Sequence, residues 1–228
     1  MSGVAASRVA VIIPAAGSGV RFGDKTPKAF FELDGISLLT RSALTLSMIA
    51  EVLVIAVPAE YVSQAAQELD AIDAQVHIVP GGATRQDSVA AALQIVPADI
   101  DFVLVHDAAR PLVPISVVAD VVQALSDGAK AVIPVLPVID TIKRVTSDGV
   151  VVETIHRETL RRAQTPQGFT KSLLDQAFID PTHVATDESG LVERLGVPVQ
   201  TVMGSERAFK ITTPADVAYA LALLGDTQ

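Results

Sequence analysis

Apolar residues along this chain come in short unbroken runs, separated by stretches where they recur every three or four positions. Val9–Pro14 is apolar at successive positions, as suits a strand covered on both faces of a parallel sheet. Val52–Val57 is a second such run, stopped by Pro58. Val76–Val79 is a third, ending in the turn signal Pro80-Gly81-Gly82. Phe102–Val105 and Lys130–Val135 are the fourth and fifth. Between them, Leu38–Leu46, Glu60–Leu69, Arg85–Val96 and Ile115–Leu125 read as helices; Val89, Ala92, Leu93 and Val96 form the inner stripe of the third. This alternation predicts an α/β fold: a doubly wound, mostly parallel sheet with helices on both faces.

After Pro137 the pattern changes. Thr141–Arg144 and Val150–Thr154 read as two short strands around Ser147-Asp148-Gly149, a β-hairpin with little core of its own. It either folds back on the sheet or pairs with another chain. A helix follows at 171–178, then an acidic patch at Asp187-Glu188 and a late strand, Val197–Met203. Phe209–Thr212 is strand-like, and Pro214–Leu224 closes the chain as a helix capped by Thr213. The whole chain, 1–228, reads as one domain with a β-arm at about 138–158.

In open parallel sheets, ligands bind outside the carboxyl ends of the strands. Three polar loops fall there: 14–28, 80–88 and 106–111. The first carries Ala15, Ala16, Gly17, Ser18, Gly19, Arg21, Gly23 and Lys28. Small residues let the backbone approach a ligand, its N–H groups suit phosphate oxygens, and Arg21 and Lys28 add positive charge. The spacing matches neither GxxxxGK[ST] nor a clean GxGxxG with its later acidic residue. In the second loop, backbone groups at Gly81-Gly82 could read a base edge, and Ser88 could reach base or ribose. An ordinary helix start is the alternative there. In the third, Asp107 stands where a strand-end carboxylate could hold Mg²⁺ beside substrate phosphates. Arg110 could orient a phosphate or buttress the loop through Asp107. His106 reads as structural. Lys210 either faces outward or makes a further phosphate contact, and Thr141 and Lys143 either bind a second substrate or are polar strand residues.

Bulk composition narrows the classes. The formal net charge of −9 and the lack of aromatic–basic interleaving argue against a nucleic-acid surface. There is no cysteine, which removes thiolate catalysis and zinc–sulfur sites. No apolar run reaches membrane-spanning length, and a cytoplasmic location is expected.

The segments PAAGSGVRFGDKTPK, GGATRQDSV, VLVHDAARP, DTIKR, HRETLRRAQTPQ, TDESGLVE and FKITTPAD occur in the order seen in 2-C-methyl-D-erythritol 4-phosphate cytidylyltransferases. The chain resembles that family from about Arg8 to Leu224. The opening is shared with many sugar-nucleotide transferases, whereas HDAARP, RxxLxxAQTPQ and FKITxPxD are much more specific. The resemblance implies that CTP and methylerythritol 4-phosphate, a polyol phosphate, give 4-diphosphocytidyl-methylerythritol and pyrophosphate with Mg²⁺. It implies that Arg21 and Lys28 stabilise the pentacovalent phosphate, and that Ala15, Ala16 and Gly17 line the triphosphate. Gly82 and Ser88 would contact cytosine, with Ala83 nearby where many members carry an aspartate. Asp107 would coordinate the ion and approach the ribose, and Lys210 would contact the α-phosphate. Arg157 and Thr141 would bind the polyol phosphate, in a neighbour's site, because in the family the arm clasps a partner subunit in a homodimer. Ribitol 5-phosphate cytidylyltransferases, which share the fold and most nucleotide loops, are the alternative; a non-catalytic nucleotide-binding protein is a remoter one.

Overall fold

The structure, a computed structural model, describes residues 7–17, 26–180 and 183–225. In chain order it contains β1 (Val9–Pro14), β2 (Glu32–Leu33), β3 (Ile36–Ser37), α1 (Leu38–Ser47), β4 (Val52–Val57), α2 (Val62–Glu68), β5 (Gln75–Pro80), α3 (Arg85–Leu93), β6 (Phe102–Val105), α4 (Ile115–Ser126) and β7 (Ala131–Pro137). There follow β8 (Ile142–Val145), β9 (Val151–Ile155), β10 (Arg161–Ala163), β11 (Gln167–Thr170), α5 (Lys171–Ala177), α6 (Glu188–Arg194), β12 (Gln200–Met203) and α7 (Pro214–Gly225).

The main sheet runs β10-β7-β11-β6-β1-β4-β5, with β12 pairing β7. β1 is parallel to both β4 and β6, and β4 to β5. The chain therefore steps outward from β1 to β5, then returns to the other side of β1 with β6. Such a reversal of strand order leaves a crevice at the carboxyl ends of the strands.

Alternate residues explain the double layer. Val9, Val11 and Ile13 point into one core with Leu39, Leu46, Val118 and Val121 of α1 and α4. Ala10 and Ile12 point into the other, with Val89 and Leu93 of α3 and Leu174 of α5. The continuous apolar runs are thus required by two-sided burial. Each fully buried Leu, Ile or Val side chain contributes about 1.5–3 kcal/mol.

Two expectations change, and one strand stands outside the pattern read along the chain. The 165–168 segment leads into a strand: β11 inserts antiparallel between β6 and β7. Its signal is weak because it is short and holds Gly168, where a Cβ would lie 2.5 Å from Val121 Cγ1 of the crossing helix. Phe209–Thr212 is irregular rather than a strand; Ile211 N–H donates to Ala109 O at 2.8 Å, docking this segment on the 106–111 loop. Glu188 is not part of a solvated acidic patch but is buried at the start of α6. The hairpin β8–β9 does form, with a ladder of its own and, among the described residues, none to the main sheet. Among the same residues, no helix is long and apolar enough to cross a membrane.

Candidate active site

The ladder fixes where each loop leaves the sheet. Ala15 N–H donates to Ala56 O at 2.7 Å, Gly81 N–H to Val57 O at 2.8 Å, and His106 N–H to Ile12 O at 2.9 Å. The three loops start from one edge and enclose a cavity of about 230 Å³. Its walls come from Ala15, Ala16, Gly17 and Lys28 on the first loop, Gly82–Arg85 and Ser88 on the second, Asp107–Ala109 on the third, and Lys210 from the late segment.

Close backbone approach shapes the second wall. A Cβ on Gly81 would collide with the Ala16 methyl and come 2.9 Å from Ser88 Oγ, so only glycine lets the first two loops meet. Thr84 caps α3 in a capping box with Asp87. Ser88 Oγ accepts from Gly82 N–H at 3.1 Å and donates to Thr84 O at 2.9 Å. The Gly82 turn is therefore held by the helix it precedes.

Asp107 is the electrostatic centre. Its Oδ1 accepts from Arg85 Nε at 3.0 Å and its Oδ2 from Lys210 Nζ at 2.8 Å. Arg110 Nε lies 3.8 Å from Oδ2. Burial opposes the Asp107 charge, but Arg85, Lys210 and Arg110 outweigh it and hold the carboxyl well below the usual range. Arg85 also donates from Nη1 to Glu188 Oε1 at 2.6 Å. Burial works against the Arg85 charge, and the two carboxylates overcome it and raise its pKa.

The neighbouring His106 is wholly buried. Thr165 Oγ1 accepts from Asp107 N–H at 3.1 Å, leaving its own proton for His106 Nδ1, also 3.1 Å away. His106 Nε2 then donates to Arg110 O at 3.3 Å. This neutral tautomer agrees with a pKa pushed down to about 4, mainly by burial. His106 ties three segments together and does not line the cavity.

The profile of the 2-C-methyl-D-erythritol 4-phosphate cytidylyltransferase family matches residues 9–226. The chain belongs to this family. A cytidylyltransferase of that name from Saccharopolyspora erythraea is 50% identical over 222 residues, covering 95% of this chain and 99% of its own. One from Frankia casuarinae is 48% identical over 223 residues, covering 97% and 83%. Among solved structures, the cytidylyltransferase of that name from Thermus thermophilus superposes with a TM-score of 0.78 at 36% identity, over 95% of this chain and 98% of its own. The 4-diphosphocytidyl-2C-methyl-D-erythritol synthase of Anaerococcus prevotii gives 0.83 at 27% identity, over 96% and 99%.

Of the residues that likeness to the cytidylyltransferases singles out, Ala15, Ala16, Gly17, Lys28, Gly82, Ala83, Ser88, Asp107 and Lys210 all line the cavity. Arg21 lies outside the described residues. Arg110 is mostly buried; it donates to Ala208 O at 2.8 Å, so it braces the loop and is not among the residues lining the cavity. Thr141 and Arg157 lie on the arm, beside the β8–β9 ladder, and do not line this cavity either; Arg157 donates to Ile139 O. Two charged residues of the site carry no role from sequence alone. Arg85 lines the cavity, and Glu188 sits behind it. The acid in TDESG, directly after a helix-capping Asp187, is the available signal, but no periodicity says that it faces Arg85.

Proposed function

We infer that this chain transfers the cytidylyl group of CTP to 2-C-methyl-D-erythritol 4-phosphate, giving 4-diphosphocytidyl-2-C-methyl-D-erythritol and pyrophosphate. One observation carries the reading. Lys28, Arg85 and Lys210, from three separate parts of the chain, meet around one glycine-walled cavity at the strand-reversal point. That arrangement suits a triphosphate, whose oxygens take backbone N–H groups and nearby cations.

In this reading a phosphate oxygen of the polyol phosphate attacks the α-phosphorus of CTP in line, and pyrophosphate departs. The P–O bond to the β-phosphate breaks as the new P–O bond forms. No proton must be removed from the nucleophile, which agrees with a neutral, enclosed His106. Lys28 and Arg21 neutralise charge on the pentacovalent phosphate and leaving group. Lys210 leaves Asp107 for the α-phosphate; its side chain is 44% exposed and has room to swing. Cytosine lies against Gly82, Ala83 and Ser88. Ala83 offers a methyl group, so backbone groups carry base selection there.

The donor set fits magnesium bound with its nucleotide. Asp107 is the one carboxylate lining the cavity among the described residues, and no cluster of three or more candidate metal ligands occurs among them. A single carboxylate plus phosphate oxygens and water is an ordinary Mg²⁺ environment. Asp107 would hold the ion, which would supply charge neutralisation between the two phosphates.

The arm supports a homodimer. Ile139, Val150, Val151 and Val152 are exposed on it, and none of the described residues covers them. Arg157 and Thr141 then serve the polyol phosphate of the partner's site. The chain works as one cytidylyltransferase unit in the cytoplasm, where its nucleotide substrate is available.

The test is a pyrophosphate-release assay crossing CTP, ATP, GTP and UTP with methylerythritol 4-phosphate and ribitol 5-phosphate, with and without Mg²⁺. Release that needs CTP, Mg²⁺ and the methylerythritol phosphate together is expected. Equal turnover with ribitol 5-phosphate would move the assignment to that substrate.

A further inference from the structure

Glu188 is the most enclosed carboxylate of the site network, with 2% of its side chain exposed. It starts α6, and the chain around it is pinned from several directions. Gln167 Nε2 on β11 donates to Asp187 Oδ2 at 2.9 Å, and Gln167 Oε1 accepts from Ser189 N–H at 3.0 Å. Asp187 Oδ1 accepts from Gly190 N–H at 3.0 Å. So Glu188 is presented by a rigid frame, not by a loop end. Its Oε1 takes a 2.6 Å bond from Arg85 Nη1. Its Oε2 is buried without a hydrogen-bond partner among the described residues. A buried carboxylate left half-satisfied costs stability, and burial raises its pKa despite the adjacent guanidinium. Packing alone would favour an apolar side chain of similar size at this position. Its single strong contact points to what it is for.

That contact divides the Asp107 carboxylate into two unequal halves. Oδ1 is held by a guanidinium that is clamped from behind. Oδ2 is held by Lys210, which is far more exposed than Glu188. If Arg85 were loose, it would be a mobile cation in a cavity built for phosphates. It would follow the triphosphate and drag or abandon Asp107. Resting on the cytidylyltransferase reading, we propose that Glu188 is a positioning residue: it clamps Arg85 so that Asp107 keeps a fixed orientation while only Lys210 changes partner when the nucleotide enters. The clamp acts through Arg85 and does not touch the reacting atoms. Its value lies in the preorganisation of a charge-stabilising site.

The test compares Glu188→Ala and Glu188→Gln in the full chain, with melting curves recorded for each. Glu188→Ala is expected to lower kcat about tenfold or more while the KM for CTP changes by no more than about threefold. Calorimetric binding of CTP in EDTA should tighten several-fold in the same variant, because Arg85 is released to the phosphates. Glu188→Gln keeps an acceptor for Arg85 and should recover much of kcat, ending roughly threefold below wild type with a smaller gain in metal-free CTP affinity. A Glu188→Ala protein with kcat and metal-free CTP affinity both near wild type overturns the proposal. So does one that loses only melting temperature. If Glu188→Ala does not fold, Glu188→Gln decides alone: unchanged kcat together with unchanged metal-free affinity overturns it. Failure of the wild type to release pyrophosphate would remove the functional reading, and the metal-free CTP titration would still judge the clamp.

Discussion

Around the cavity, Asp107, Arg85, Glu188 and Lys210 lean on one another. Asp107 binds Arg85 and Lys210, Arg85 binds Glu188, and Arg110 is braced on Ala208. The arm is organised differently. Its charged residues pair across one two-stranded ladder, with Arg144 Nε 2.9 Å from Glu153 Oε2 and Lys143 Nζ 2.6 Å from Thr154 Oγ1. Its valines face solvent, Val152 at 61% exposure. A lone two-stranded hairpin is marginal in water. The first region is braced within one chain, and the second carries apolar surface that the described residues leave uncovered. In the proposed reading, preorganised charge and exposed apolar surface answer different needs: holding a polyanion and meeting a partner.

The comparison breaks most visibly if the cavity and the arm fail in the same way. Lys28→Ala should lower kcat about 100-fold or more with little change in CTP affinity; near-normal turnover in a pyrophosphate-release assay would remove Lys28 from the reaction. Arg157→Ala should instead raise the KM for the polyol phosphate about tenfold and leave CTP binding nearly intact. Mixing the Arg157→Ala and Lys28→Ala proteins sharpens the contrast. Partial recovery of activity is expected if the arm completes a partner's site, and none, despite proven subunit exchange, would place both residues in one chain's site.

Smaller effects probe the frame. Gly81→Ala forces apart the first two loops, since the new methyl meets Ala16 and Ser88. A loss of about 1–3 kcal/mol in denaturant unfolding, with weaker CTP binding, is the expected result. An unchanged midpoint would mean that the loops yield freely.

Acid titration isolates His106. Its folded pKa of about 4 lies below the ordinary 6.5. Between those values the unfolded chain holds a proton that the folded chain lacks, so stability rises with pH across this window. The contribution is fully present above pH 6.5 and is lost as pH falls toward 4. Asp107, with its carboxyl depressed from 3.8, acts below that window. Relative to His106→Gln, the wild type should lose up to roughly 1 kcal/mol per pH unit on acidification from 6.5 to 4. Parallel curves for the two proteins would show that the histidine is not buried neutral.

Much of this was legible in the residue pattern. Two-sided burial imposes continuous apolar runs, so β1, β4 and β6 could be read to the residue. The small residues and Lys28 after the first run line the cavity, where close backbone approach requires small side chains. The hairpin announced itself by its turn triplet between two short strand-like runs. β11 was not legible, since four residues with a glycine carry no period, and its glycine is set by the helix crossing above it. Nor was the pairing of Arg85 with Glu188, which stand 103 positions apart. Local chemistry is written in neighbouring residues because propensity, spacing and charge act over a few positions. Which distant charge lies behind which depends on how α3 and α6 pack on one face of the sheet, and that is settled only when the layers close.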